Sequence, residues 1–86
     1  MSATLPLRVM VPDVWDEVTL DLPPSTPVAE LKRLALERSR VRREPDEYVV
    51  KFRGAELTDE TRTLAESGLV PNAPLIVLPR RRRPVR

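Results

Sequence analysis

The sequence predicts an α+β domain, a small mixed β-sheet packed on one helix in ββαββ order with a short extra edge strand. Three observations predict it. Two stretches of apolar–polar alternation stand close together near the start, a single stretch of helical period follows, and the second half returns to short apolar runs cut by Gly and Pro. One helix among several strands packs on one face of the sheet, because each must cover the apolar side of the other.

In the first strand Leu5, Leu7, Val9 and Val11 alternate with Pro6, Arg8, Met10 and Pro12. Val18, Leu20 and Leu22 repeat the pattern, and Asp13–Asp16 is long enough to return the chain as an antiparallel hairpin. The Pro-rich segment 23–27 breaks the period. Val28, Leu31, Leu34 and Ala35 then recur at helical spacing, with Thr26 expected as N-cap, Pro27 at the first helical position and an end near Ser39. Val41 is expected to anchor the loop under the helix end.

Tyr48–Arg53 reads as a third strand stopped by Gly54, and Ala55–Leu57 as a short edge strand. Segment 58–68 is a surface turn pinned by Leu64, with Gly68 supplying a left-handed residue. Pro74–Leu78 is an unbroken apolar run, expected as a central strand covered on both faces. The expected core is Leu7, Val9, Val18, Leu20, Leu22, Val28, Leu31, Ala35, Val41, Val50, Phe52, Leu57, Leu64, Leu69, Leu75 and Val77.

With 86 residues the chain holds one domain, residues 1–79, followed by a basic tail, residues 80–86, expected to be disordered. Five of the 13 arginines lie in that tail. Without it ten basic residues face 13 acidic ones, so the +2 net charge separates into a −3 body and a +5 tail. The chain contains neither Cys nor His, which removes disulfides, thiol nucleophiles, His-based triads and zinc-finger ligand sets together. No stretch has the length of a membrane helix or the form of a signal peptide, so a cytoplasmic location is expected. No phosphate-cradling glycine loop or catalytic constellation is present, and neither a cofactor nor a metal is expected. Asp13 with Asp16, and Asp59 with Glu60, read as solvated turn charge, because a divalent cation wants more converging oxygens.

Several strings, taken in order, resemble ubiquitin and its β-grasp relatives: Val18-Thr-Leu-Asp-Leu22 before a Pro-Ser-Thr helix start, Leu31-Lys32, Phe52-Arg-Gly54 three residues before Leu57, Arg62-Thr-Leu64, and Gly68-Leu69 leading to Leu75-Ile-Val-Leu78. The resemblance covers residues 7–78. It implies the β-grasp fold and a non-enzymatic protein-binding role, in a small bacterial protein; the YukD-like component of type VII secretion is one such relative. A conjugated modifier or a sulfur carrier of this family ends in a diglycine, the alternative function. Here Arg83 and Pro84 fall at those positions, and the only glycines are Gly54 and Gly68.

The resemblance also implies that Lys32 is largely buried. It places Lys51 where ubiquitin carries the central isoleucine of its recognition patch, beside Val49 and facing the last strand. The candidate protein-binding residues are therefore Val49, Lys51 and Leu78, with Trp15 in the first hairpin as a further anchor, since Trp is enriched among interface hot spots. The bland reading of Trp15 is a ring folded back on the sheet edge. Arg80, Arg81, Arg82, Arg83 and Arg86 are candidates for electrostatic contact with nucleic acid, anionic membrane or an acidic surface, against the plain reading of a solvated end in an arginine-rich composition. The second basic cluster, Arg38, Arg40, Arg42 and Arg43, is interleaved with acids and reads as self-neutralised surface.

Overall fold

The computed structural model describes residues 4–80. Alternation along β1 (Leu5–Val11) turns Leu7, Val9 and Val11 inward and leaves Arg8 and Met10 outward. Pro12 opens a 3-10 turn over Pro12–Val14, where its missing N–H has no partner to lose. Trp15 closes that turn in the left-handed region, φ 54°, with its N–H donating to Pro12 O at 3.1 Å. The chain returns as β2 (Asp16–Leu22), antiparallel to β1, with Leu7 opposite Leu20 and Val9 opposite Val18.

Helix α1 spans Val28–Arg38, one residue later than the expected start. Thr26 does not cap it. Pro27 holds the cap position without a side-chain bond, and the first free amides are satisfied by the following loop: Val28 N–H donates to Arg62 O and Ala29 N–H to Glu60 O, each at 2.9 Å. Because backbone carbonyls fill the capping role, a hydroxyl there is redundant. At the other end Arg40 adopts φ 61°, its N–H reaching Glu37 O and that of Val41 reaching Leu36 O, both at 3.0 Å. This is a Schellman ending with arginine where glycine is usual, and Val41 packs half-buried against the core as expected.

β3 (Tyr48–Phe52) and β4 (Ala55–Glu56) are joined by Arg53 and Gly54, φ 56° and 81°, the pair of positive values that a tight two-residue hairpin requires. In the 58–68 loop Thr63 and Glu66 cap one another: Thr63 N–H donates to Glu66 Oε1 at 3.0 Å and Glu66 N–H to Thr63 Oγ1 at 3.1 Å. Leu64 beside them is fully buried. Gly68, φ 82°, turns the chain as expected.

β5 (Ala73–Pro79) lies in the middle. Among the described residues the sheet order is β2-β1-β5-β3-β4, with β5 parallel to β1 and antiparallel to β3. Its position is the expected one, but its two faces differ. Ala73, Leu75 and Val77 are buried against α1, whereas Pro74 and Ile76 are exposed and Leu78 is half-buried, so the expected cover on both faces is corrected. The apolar run reflects a second surface and not a second layer.

The core contains Leu7, Val9, Val28, Leu31, Ala35, Val50, Leu75 and Val77 as expected, and also Val11, Leu36, Tyr48 and Ala73. Leu22, Phe52 and Leu57, expected inside, pack at its edge half-exposed. Lys32 is 3% exposed, its Nζ donating to Tyr48 O at 2.9 Å and pairing with Glu60 at 2.8 Å. Glu60 is therefore the partner of a buried cation, correcting its reading as solvated turn charge. Asp59 stays in its turn, where the Thr61 hydroxyl and amide donate to its carboxylate and hold its pKa below the usual range.

A candidate protein-binding face

The outward side of the sheet is built by the same alternation that makes the core. The registers align one residue from each strand across it: Glu17 on β2, Met10 on β1, Ile76 on β5, Lys51 on β3 and Glu56 on β4. The row is apolar at its centre and charged at its ends. Met10 is 44% exposed and Ile76 is 41% exposed, and the next outward pair is Val49 opposite Leu78. Arg8 borders the strip from β1, paired with Glu17 at 3.3 Å.

The candidates Val49, Lys51 and Leu78 thus come together on this face, though not equally open. Lys51 and Leu78 are half-buried, and Val49 is 6% exposed, which corrects its expected display. Val49 forms the floor of a groove of about 370 Å³ whose walls are Lys51, Glu56, Leu78, Pro79 and Arg80. Long charged side chains cover apolar surface with their stems while their ends stay in water. Met10 and Ile76 were legible as outward residues only once the strand register was fixed, because Ile76 sits inside a run of apolar neighbours that masks its parity.

Trp15 stands at the hairpin tip, 92% exposed, with Val14 beside it at 43%. The folded-back reading is excluded. The tip is braced: the Tyr48 hydroxyl donates to Asp13 Oδ2 at 2.6 Å, and Glu17 N–H to Asp16 Oδ1 at 2.9 Å. Asp13 and Asp16 therefore serve separate local contacts. Burial of the Tyr48 ring, then its bond to Asp13, pushes the Tyr48 pKa up to about 12.

Arg80 follows β5, its N–H donating to Glu47 O at 2.7 Å and its Nε to Asp46 O at 3.2 Å. With Arg43, Glu44, Asp46, Glu47 and Pro79 it lines a second groove, of about 780 Å³. The remaining tail candidates, Arg81, Arg82, Arg83 and Arg86, lie outside the described residues. No described helix is long and apolar enough to cross a membrane.

One helix gripped by a mixed sheet whose parallel centre joins β1 to β5 is an arrangement that comparison with solved structures identifies. Ubiquitin of Caldiarchaeum subterraneum superimposes with a TM-score of 0.77 at 16% identity, over 92% of this chain and 96% of that one. The fold is ubiquitin-like β-grasp. A ubiquitin-like domain of an Arabidopsis thaliana protein gives 0.76 at 18% identity, over 98% of this chain and 85% of that one. A de novo designed protein based on ubiquitin gives 0.77 at 25% identity, over 94% of each chain. No protein-family profile and no curated protein matches the sequence. The ubiquitin-like architecture is thus conveyed by backbone geometry and by core positions, at identities that carry fold and not role.

Proposed function

We propose that this chain is a non-enzymatic ubiquitin-like module that binds a protein partner non-covalently through the outward sheet face, with Lys51 near its centre and Trp15 at its margin. The observation that carries the reading is the apolar strip of Met10, Ile76 and Leu78, displayed on strands whose other face is fully sealed. Exposed apolar side chains grouped in one place and rimmed by charge mark interaction sites. A cation within the strip selects a partner that offers a carboxylate or carbonyl there, a different demand from that of an all-apolar patch. A bacterial cytoplasmic setting and a role without diglycine conjugation belong to this proposal; the cysteine-free composition suits a reducing compartment.

The test is a quantitative pull-down from the native cell with the intact chain, a Lys51→Glu variant and a chain lacking residues 81–86. A partner that is kept by the intact and shortened chains and lost with Lys51→Glu supports the face. Partners indifferent to Lys51→Glu place recognition elsewhere. A second reading, electrostatic binding of polyanions by the tail, rests on the five arginines among residues 80–86. It requires affinity for an oligonucleotide or anionic vesicle that falls steeply with salt and disappears with the tail.

A further inference from the structure

The tip presents an exposed Trp15 beside two acids, and the groove floored by Val49 is apolar with a rim that is positive by one charge. We propose that they fit one another across two copies of the chain: Trp15 of one copy seats against Val49, Leu78 and Pro79 of the second, which returns its own Trp15 in the same way. The inference rests on the reading of the outward face as a binding surface, and names an occupant for it.

Trp15 is displayed and not merely uncovered. Its backbone is held at φ 54°, closed by the bond to Pro12 O, and the turn is tied to the core through Asp13 and Tyr48. Left-handed backbone at a bulky residue is strained and persists where surrounding structure enforces it. On a braced turn the backbone has little freedom left to lose on binding, so the ring gives up only its own two torsions.

The groove has room for the ring. Its volume of about 370 Å³ lies just above the roughly 300 Å³ at which pockets begin to hold a small organic group. Its floor is apolar, and Lys51 and Arg80 stand on its walls with one acid, Glu56, so the rim is positive by a single charge. Asp13 and Asp16 stand on either side of Trp15 in the sequence, both exposed, so seating the tip brings acid toward those cations even though Asp13 also accepts from Tyr48. The same carboxylates oppose approach of the tip to anionic lipid or nucleic acid.

Pro79 is opposite Tyr48 in the sheet, and the Tyr48 hydroxyl reaches Asp13 in the turn, so groove and tip occupy the same end of the molecule. A two-fold axis at that end lets both contacts form at once. Two indoles cover roughly 300–500 Å² and about as much groove wall, less than the about 1,200 Å² of a standard stable interface. The pair is therefore a weak, concentration-dependent dimer.

Sedimentation velocity on the purified full chain from about 5 to 500 µM tests it, a range suited to small interfaces. The expected result is a reversible monomer–dimer equilibrium, accompanied by a blue shift of the emission of Trp15, the only tryptophan. Trp15→Ala and Lys51→Glu should each weaken dimerisation by about tenfold or more. Circular dichroism checks that each variant is folded. Monomer at every concentration, a dimer indifferent to Trp15→Ala, or growth beyond dimers overturns the reciprocal pairing. If the pure chain stays monomeric while Lys51→Glu still loses a cellular partner, the pairing fails and the binding face stands.

Discussion

The two faces of the sheet are made by the same strands, yet they obey different rules. On the inner face Leu7, Val9, Leu75 and Val77 are at most 1% exposed. On the outer face their immediate neighbours Met10 and Ile76 are 44% and 41% exposed. One residue of register separates a position sealed in the core from one that leaves about two-fifths of its apolar side chain in water. The difference teaches that outward apolar residues of this domain are to be judged by what covers them from outside.

The contrast yields four measurements, beginning with the largest effect. Leu75→Ala, at the centre of the inner face, should cost about 2–5 kcal/mol in urea unfolding, a large share of the stability of a domain this small. Lys32→Met should cost roughly 3 kcal/mol or somewhat less, since the Glu60 it strands retains 23% side-chain exposure and so some access to water. A neutral result would mean that the buried pair is no better than an apolar contact.

Tyr48→Phe removes the bond to Asp13 and should cost about 1 kcal/mol at neutral pH. Its alkaline behaviour is more specific. The Tyr48 pKa rises from the ordinary value near 10 to about 12 on folding, because burial disfavours the phenolate. The unfolded chain therefore loses this proton first. The resulting stabilisation is complete below pH 10 and is lost as pH rises toward 12, an effect of about 2–3 kcal/mol. Phenolate absorbance follows it directly, Tyr48 being the only tyrosine, and the Phe variant should lack this part of the decline. Smallest of all, Trp15→Ala should leave monomer stability within about 0.5 kcal/mol, since the ring is 92% exposed. A large loss there would place Trp15 in the fold and not on its surface.

The inner face was legible in the sequence because period-two and period-3.6 patterns record burial directly. Val9, Leu31 and Val50 declare themselves this way. Tyr48 was harder to place, since its ring is buried while its hydroxyl reaches a turn 35 residues away. The helix start was missed by one residue because its amides are capped by carbonyls of residues 60 and 62, a long-range arrangement without a local signature. The candidate site was read in part. Lys51 and Leu78 came from resemblance and Trp15 from its residue type. Ile76 was hidden within the run Leu75-Ile-Val-Leu78, where both parities are apolar and only pairing with β1 and β3 decides which side faces water.

The parallel pairing of β1 with β5 has a mechanical consequence. The first and last strands of the domain lie side by side and point the same way, with Leu7 beside Ala73 and Met10 beside Ile76. Tension applied through the two ends draws these strands past one another along their length, so their hydrogen bonds share the force and must fail together rather than open in sequence. Stretching the domain between its two ends therefore loads the β1–β5 hydrogen bonds in shear.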